Sequence, residues 1–325
     1  MHRGRKLSKL LLIGIIGGGW MCAAQAAVPY PAKPIRLVVP YSPGGNTDVF
    51  ARLIAQRLTV AWGQQVVVDN RAGGNTLIGT ELVARSIADG YTIMLTTLTF
   101  TVSPSLYKKL PYDTVRDFTP ITLAVVLPNV LVVHPSVPAK SLKEMIQYAK
   151  VNPGKLNYAS TGNGTSPHLS MELLKTMAGI SLVNIPYTGG APALADLMGG
   201  QISAQFIGLS VAIPFIKSGK LRALAVTSSK PSSVAPDIPT VGETVPGYEL
   251  DAWFGVLGPG GMPEPLVQRL QQEIAKILHS PDFKEHLVSL GAEPVGSSPL
   301  KFSTYINSEI SKYAQIVKTT GIQAE

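Results

Sequence analysis

The feature that most constrains the fold is a regular alternation of β-rich runs and amphipathic segments along the chain. The β-rich run Ile35–Val39 is followed by residues 47–60, whose apolar side chains recur at helical spacing. A β-rich run followed by an amphipathic segment recurs along most of the remaining sequence. Alternating strands and helices pack as layers, so the sequence predicts an α/β fold.

Periodicity gives the expected bounds of each element. The predicted strands are Ile35–Val39, 66–68, 92–95, 130–133, 156–159, 183–185, 202–206, 221–226 and 253–257. The predicted helices are 47–60, 77–88, a segment from 142, 168–178, 192–198, 266–279 and 300–317. Ser141 and Glu144 have the spacing of a capping box for the helix from 142. The Pro-rich residues 231–246 are interpreted as an ordered, extended crossing segment, because proline fixes φ.

Residues 1–26 differ from the rest of the chain. A basic start is followed by an apolar run over residues 10–19, which is too short to span a bilayer, and by the small residues Ala24 and Ala26. This order is typical of a secretory signal peptide, so we predict removal after Ala26 and a periplasmic protein. The alternative, a retained membrane anchor, lacks a full spanning length. Cys22 lies in this leader, so the exported chain is expected to need no disulfide.

Charge and length narrow the possible functions. The net charge is +8, but four lysines and arginines lie in the leader, which leaves an excess of about +4. The sequence has no run of basic residues and no alternation of basic with aromatic residues, so nucleic-acid binding has little support. No later segment is apolar over the length of a membrane span. The length indicates two domains rather than one.

A first glycine-rich loop, residues 40–48, joins a predicted strand to a predicted helix. Gly44 and Gly45 let a ligand approach the backbone, and Asn46 or Thr47 is the expected N-cap. The free N–H groups of a helix start favour a bound anion. The candidate ligand-binding residues of this loop are Tyr41, Ser42, Gly44, Gly45, Asn46, Thr47 and Asp48.

A second loop of the same design covers residues 159–168. Ser166 suits the N-cap position and Pro167 the first helical position. Two glycines expose backbone, and hydroxyl and amide side chains add donors. The candidate ligand-binding residues here are Ser160, Thr161, Gly162, Asn163, Gly164, Thr165 and His168.

A third stretch, residues 186–192, follows another predicted strand. Tyr187 is a candidate wall of a ligand site and Thr188 a candidate hydroxyl donor. A tight structural turn with a packed tyrosine explains this stretch equally well.

The first two loops together predict a carboxylate site. If they lie on different domains that face each other, two helix N-termini converge on one cleft. Neither loop contains Lys or Arg, and neither GxxxxGK[ST] nor GxGxxG is present, so a nucleotide phosphate site is disfavoured. Two unrelated structural turns remain the alternative.

The sequence gives little support to catalysis. HExxH, DxDxDG and GxSxG patterns are absent, so we expect no metal, no cofactor and no enzyme. The best catalytic candidates are Ser160 or Ser166 near His168, but Ser166 and His168 are two residues apart at a helix start, where side chains diverge. Asp48 is a possible general base, although acidic residues are common in first turns. A periplasmic hydrolase is therefore the weaker alternative.

Several longer motifs resemble the Bug-type substrate-binding proteins of tripartite tricarboxylate transporters. They run through the whole exported chain and include PYSPGGNTD (40–48), NPGKLNYASTGNGTSPHLS (152–170), IPYTGGAPALADLMGGQI (185–202) and PDIPTVGE (236–243). The chain departs from the usual family pattern in the turn over residues 70–79, at Phe100-Thr101 and at Ile207, all positions expected to alter the cleft walls.

The resemblance implies a type II periplasmic-binding-protein fold, with two α/β domains joined by a two-strand hinge around a ligand cleft. It places the hinge near residues 123–131 and 244–256. The expected domains are therefore residues 27–124 with 247–325, and residues 125–246. It also implies that the first two loops pinch a ligand carboxylate, often through ordered water.

The expected function is capture of a small carboxylate, either a dicarboxylate, an amino acid or an aromatic acid, for membrane transporter subunits. A ligand-sensing partner of a membrane sensor would have the same cleft, so the sequence leaves both open. We expect a monomer that does not itself span the membrane.

Overall fold

The computed structural model describes residues 1–2, 30–162, 164–187, 189–232 and 234–321. The predicted signal peptide, apart from its first two residues, lies outside these ranges, and so does its cleavage site. No helix in the described part of the chain combines the length and the apolar character that crossing a bilayer requires.

Strands and helices alternate along the described residues. In chain order the strands are β1 (Ile35–Val39), β2 (Val66–Asn70), β3 (Thr92–Thr97), β4 (Phe118–Leu127), β5 (Asn129–Val133), β6 (Asn157–Ser160), β7 (Val183–Pro186), β8 (Ala204–Gly208), β9 (Arg222–Val226), β10 (Ala252–Pro259) and β11 (Glu293–Pro294). The helices are α1 (Asn46–Trp62), α2 (Leu77–Ala84), α3 (Thr99–Leu106), α4 (Leu142–Val151), α5 (Ser166–Ala178), α6 (Gly190–Met198), α7 (Leu209–Lys217), α8 (Val241–Thr244), α9 (Glu264–Leu278), α10 (Pro281–Ser289) and α11 (Pro299–Thr320).

Two mixed sheets form the framework. The first has the order β11-β4-β10-β3-β1-β2 and the second the order β7-β6-β8-β5-β9. Strands β1, β2 and β3 run parallel, as do β6, β7 and β8. Strand β10 runs antiparallel between β3 and β4, and β5 runs antiparallel between β8 and β9. The predicted α/β class is confirmed.

The chain passes between the sheets twice. Only Pro128 separates β4 in the first sheet from β5 in the second, and we call it the first crossing. The second crossing, residues 227–251, leads from β9 back to β10. These changes of sheet lie near the predicted domain limits, but the division into domains itself stays a prediction.

Both crossings join the same kind of sheet edge. We call the edge where β1, β2 and β3 end, and the edge where β6, β7 and β8 end, the carboxyl edges. Leu127 at the end of β4 pairs with Ala252, and Asn129 at the start of β5 pairs with Gly208. Because the crossings start and finish at these positions, the carboxyl edges of the two sheets lie next to each other.

Large side chains hold the layers together. Trp253 of β10 packs edge-on against Phe302 and Tyr305 of α11, with ring centroids 5.8 and 6.0 Å apart. Phe50 of α1 packs against Phe254 at 4.7 Å. A Cβ at Gly255 would lie 2.1 Å from the Phe302 ring, so the strand must carry glycine there. A fully buried side chain of this size contributes roughly 1.5–3 kcal/mol by leaving water.

Several predicted bounds were wrong, and some elements were not predicted. Helix α5 begins at Ser166 rather than 168, α6 begins at Gly190 rather than 192, and the strand expected over 202–206 is β8. Strand β4 and helices α3 and α7 were missed because each contains proline, which normally interrupts such elements. Helix α10 was also missed.

The predicted capping box at Ser141 is incomplete. Ser141 caps the Glu144 N–H, but the Glu144 carboxylate accepts the N–H of Lys140 instead of closing the box. A complete capping box lies in the second crossing, where Thr240 and Glu243 start α8. The Pro-rich stretch is therefore not extended throughout.

Candidate functional site

The two carboxyl edges carry the starts of six helices. Helices α1, α2 and α3 follow β1, β2 and β3, and helices α5, α6 and α7 follow β6, β7 and β8. None of the six has a side-chain cap within the described residues. At α2 and α7, backbone carbonyls of Gly74 and Pro128 accept the first N–H. In the described part of the chain, the first N–H of each of the other four helices has no such backbone acceptor.

The first loop presents its backbone at the start of α1. Gly45, rather than Asn46 or Thr47, is the N-cap, with extended backbone dihedrals of φ −84° and ψ 170°. Gly44 has a φ of 90°, which favours glycine. Ser42, Gly44, Gly45 and Asn46 are exposed, whereas Thr47 is buried. The predicted N-cap was wrong, because the N-cap position is occupied by Gly45, which has no side chain to accept a hydrogen bond.

Asp48 fixes the shape of this loop. Its Oδ2 accepts the N–H of Gly44 and the Nε–H of Arg52, both at 3.0 Å, and its Oδ1 accepts Nδ2 of Asn70 at 3.0 Å. Asn70 also donates to the carbonyl of Tyr41. Burial by itself would raise the pKa of Asp48, but the hydrogen bonds from Arg52, Gly44 and Asn70 lower it below its usual value. With both oxygens engaged, Asp48 is poorly placed as a general base.

The second loop has its N-cap one residue earlier than predicted. Thr165 is the N-cap and Ser166 the first helical residue, so neither Ser166 nor Pro167 has its predicted position. The Thr165 hydroxyl donates to the carbonyl of Gly162 at 2.8 Å. Ser166 accepts Nδ2 of Asn129 at 2.6 Å, which uses its hydroxyl oxygen outside the loop. Asn163 lies outside the described residues.

His168 orients this loop from within the protein. The imidazole is 5% exposed, and its Nδ1 accepts the N–H of Gly164 at 3.3 Å. Burial lowers the pKa of His168, so the ring is neutral and able to accept. Gly162 and Gly164 have φ of 119° and 73°, which side-chain-bearing residues rarely adopt. Thr161 is half-buried, with its hydroxyl 3.4 Å from that of Thr165.

The third stretch lies beside the second loop. The N–H of Tyr187 donates to the carbonyl of Ser160 at 2.9 Å, next to the pairing of β6 with β7. The Tyr187 hydroxyl donates to Asp196 at 2.7 Å, so it serves the turn itself. Thr188 lies outside the described residues.

The second loop contacts both the third loop and a helix of the first sheet. The second and third loops are in direct contact, whereas the first loop belongs to the other carboxyl edge. The second loop also packs closely against α3, which follows a strand of the first sheet. A Cβ on Gly164 would lie 3.0 Å from Leu106 of α3. The crossings therefore bring the carboxyl edges that carry the three loops next to each other.

Three buried hydroxyls at these edges have no hydrogen-bond partner of normal geometry in the described part of the chain. They belong to Tyr41 after β1, Thr96 near the end of β3 and Ser160 at the end of β6. Burial raises the pKa of Tyr41 to about 12, although the nearby Thr99 and Thr96 hydroxyls act in the opposite direction. Buried hydroxyls normally find partners, so these three lack the hydrogen bonds that such groups usually make.

Sequence reasoning missed a polar chain at the crossings. Asn129, besides its bond to Ser166, donates its N–H to the Thr227 hydroxyl at 2.9 Å, and that hydroxyl donates to Asp251 at 3.0 Å. Thr227 also donates its N–H to the carbonyl of Asn129. The available signal was Asn129 at the start of one apolar strand and Thr227 directly after another. This chain links both crossings to the start of α5.

A family model and several solved structures place the chain in one receptor family. Residues 50–322 match the family described as the tripartite tricarboxylate transporter family receptor. A structure of R. palustris Rpa4515 with adipate is 38% identical, has a TM-score of 0.80, and is matched over 90% of this chain and 99% of that chain. The periplasmic binding protein BugD is 35% identical, with a TM-score of 0.77 and coverage of 91% and 100%.

A further solved structure is MatC from Rhodopseudomonas palustris with bound malate. It is 31% identical, with a TM-score of 0.76, over 89% of this chain and all of that chain. These solved structures support the predicted periplasmic-binding-protein fold. Within the described residues, no group of three or more His, Cys, Asp and Glu side chains could hold a metal ion.

Proposed function

Because the chain belongs to the tripartite tricarboxylate transporter receptor family, we propose that it is a periplasmic receptor that captures a small carboxylate between the two carboxyl edges. The observation that carries this proposal is the set of helix starts at adjacent carboxyl edges, none of which has a side-chain cap in the part of the chain that the structure describes. Backbone N–H groups at a helix start bind anions through hydrogen bonds and the helix dipole. Adipate and malate in the related structures are both carboxylates.

The first two loops are the proposed clamp. Gly44, Gly45 and Asn46 offer exposed backbone, and the buried hydroxyl of Ser160 supplies a donor on the other side. A hydrogen bond to a charged group contributes about 1.5–3 kcal/mol. A few of them account for a Kd of about 1 μM, which corresponds to about −8 kcal/mol.

The proposed receptor is not an enzyme. Acyl transfer by Ser166 would need a free base beside the hydroxyl, but Ser166 is hydrogen-bonded to Asn129 and the Nδ1 of His168 holds the N–H of Gly164. The proposal includes no cofactor and no metal. It places the protein in the periplasm after loss of the leader, as a monomer that delivers its ligand to membrane transporter subunits.

Binding by titration calorimetry tests the proposal. Purified protein, unfolded and refolded to remove any bound ligand, is titrated with dicarboxylates, aromatic monocarboxylates and amino acids, and with neutral sugars as controls. At least one carboxylate should bind with micromolar affinity or better. Binding of a neutral sugar without binding of any carboxylate would contradict the proposal.

A substitution at the first loop tests the position of the clamp. A Cβ at Gly45 meets nothing within 4 Å and its backbone is extended, so Gly45→Val is compatible with the fold. The added side chain blocks close approach to the start of α1, and carboxylate affinity should fall at least about 100-fold.

The matched control is Gly199→Val at the exposed end of α6, where the nearest atom to a Cβ is 3.4 Å away. The control should bind as the wild type does. Unchanged affinity in a folded Gly45→Val protein would rule out the first loop as part of the clamp. Gly162 is unsuitable for this test, because its φ of 119° would strain any side chain.

A further inference from the structure

We infer that the hinge between the two sheets is controlled by a proton on Asp251. In its protonated form this side chain holds the second crossing against α11, and loss of the proton frees the hinge. The switch acts on the protein without a ligand, so it does not depend on what the protein binds. Asp251 has the position and the charged neighbours that such a switch requires.

Asp251 lies where the two crossings meet. It is the last residue of the second crossing, and its Oδ1 accepts the hydroxyl of Thr227, the first residue of that crossing, at 3.0 Å. The same hydroxyl accepts the N–H of Asn129, directly after the first crossing, at 2.9 Å. One carboxyl group therefore joins both ends of the second crossing to the first crossing.

The elements around Asp251 belong to both sheets. Helix α11 packs against β4 of the first sheet and against α5, which follows β6 of the second. In the second crossing, the Tyr248 hydroxyl donates to the carbonyl of Ser170 in α5 at 2.9 Å, and the Tyr248 ring stacks on Phe206 of β8. A shift of this crossing relative to α11 therefore changes how the two sheets are held together.

The charges that face Asp251 are mostly negative. Glu249 precedes it in the crossing and Glu293 faces it from β11, and both disfavour its ionised form. The facing cation is Lys312 of α11, which already pairs with the buried carboxylate of Glu309. An ionised Asp251 therefore adds to an existing excess of negative charge.

Two phenols of α11 complete the surroundings of Asp251. They belong to Tyr305 and Tyr313, and burial raises the pKa of both above its usual value, so they stay neutral. They bring no positive charge to an ionised Asp251. Burial and the two glutamates raise the pKa of Asp251 to about 6, against the opposing effects of the Thr227 hydroxyl and Lys312.

Protonation and ionisation of Asp251 have opposite effects on this arrangement. The carboxyl group binds its proton more tightly here than in water, where the pKa of an aspartate is about 3.9. Protonation therefore favours this arrangement, and ionisation favours one in which water reaches the carboxylate. A movement of the second crossing away from α11 admits that water. From the two pKa values, the equilibrium constant for this opening should rise about tenfold between pH 5 and pH 7.5.

Amide hydrogen exchange on the ligand-free protein measures the opening. Exchange is followed by mass spectrometry in peptides that cover residues 245–253, at pH 5 and pH 7.5, with correction for the intrinsic exchange rates. In the wild type, the opening constant should be about tenfold larger at the higher pH. Asp251→Asn, which cannot ionise, should give nearly the same constant at both pH values. Asp237→Asn, at an exposed position of the same crossing, is the matched control and should behave as the wild type.

A second variant separates a switch from a purely structural role of Asp251. The Thr227 hydroxyl favours the ionised form of Asp251, because it donates to the carboxylate. Thr227→Val should therefore raise the pKa of Asp251 and move the midpoint of the pH dependence of exchange to a higher pH.

Spin labels measure the movement of the sheets themselves. Val151→Cys and Leu300→Cys, at positions that are each 78% exposed, carry the labels at the end of α4 and the start of α11, with Cys22→Ser to leave no other thiol. In double electron–electron resonance, the distribution of distances between the labels should be broader at pH 7.5 than at pH 5. With Asp251→Asn added, it should be narrow at both pH values.

Three outcomes would overturn the inference. They are equal opening constants of the wild type at the two pH values, an Asp251→Asn protein that keeps the pH dependence, and a distance distribution that does not change with pH. Neither experiment includes a carboxylate, so each of these outcomes leaves the proposed receptor function untouched.

Discussion

At the scale of single residues, two buried serines make a natural comparison. Ser160 and Ser170 are 1% and 0% exposed, and the Oγ of each lacks a hydrogen-bond partner in the described part of the chain. Ser160 ends β6 at a carboxyl edge, whereas Ser170 lies inside α5. Only the first of these hydroxyls therefore lies at the proposed clamp.

We predict different effects of alanine at these two positions. Both Ser160→Ala and Ser170→Ala remove an unsatisfied hydroxyl, so the free energy of unfolding in urea should stay constant or rise by up to about 1 kcal/mol. Ser160→Ala should also weaken carboxylate binding about tenfold, because one hydrogen bond is lost. Equal affinities of the two variants in calorimetry would show that Ser160 does not contact the ligand.

At the scale of elements, the sequence predicts most strands and helices but not how the loops meet. The period of apolar residues is local information, and it locates β1, α1, β6 and α5 to within a few residues. Strand β4 pairs with β10, which is far along the chain, and its proline hides it from a local reading. The role of Asp48 was equally hidden, because its partner Asn70 comes from another element.

The second loop should respond to pH through His168. Burial lowers the pKa of His168 in the folded protein, so the unfolded chain, with a pKa of about 6.5, binds more protons as the pH falls. The stabilising contribution of the neutral ring is therefore present above that value and is lost as the pH drops below it. Protonation of Nδ1 would also remove the acceptor of the Gly164 N–H.

Urea unfolding at pH 7.5 and pH 5 measures this effect. The wild type should be more stable than His168→Asn at the higher pH, and the difference in free energy of unfolding should shrink at the lower pH. His286→Asn, at an exposed position of α10, is the matched control for loss of an imidazole. If the difference in free energy of unfolding between the wild type and His168→Asn is the same at both pH values, the pKa of His168 is not lowered in the folded protein.

At the scale of the whole molecule, the second crossing between the sheets contains Asp251, a buried carboxyl group with a raised pKa. Burial raises the pKa of Asp251 to about 6, with a further rise from Glu249 and Glu293, while the Thr227 hydroxyl and Lys312 oppose it. The folded protein therefore keeps a proton that the unfolded chain releases at about pH 3.9. The stabilising effect of the protonated form is complete below that pH and is lost as the pH rises through about 6.

Asp251→Asn tests this consequence for the junction. The amide keeps an acceptor for Thr227 and never carries a charge, so the variant should gain stability over the wild type at pH 7.5 and gain less at pH 4.5. Urea unfolding at both pH values provides the measurement, with exposed Asp237→Asn in the same crossing as the control. A gain that does not depend on pH would show that Asp251 does not titrate in this range.

The position of β10 has a consequence for how the chain is made and exported. The second sheet is built from one continuous piece of chain, residues 129–226, whereas β10 fills the gap between β3 and β4 in the first. While the polypeptide emerges from its amino terminus, β3 and β4 each keep an open flank until residues 252–259 appear. The second sheet can thus form early, whereas the first sheet stays incomplete and prone to wrong pairing until residues 252–259 have been made.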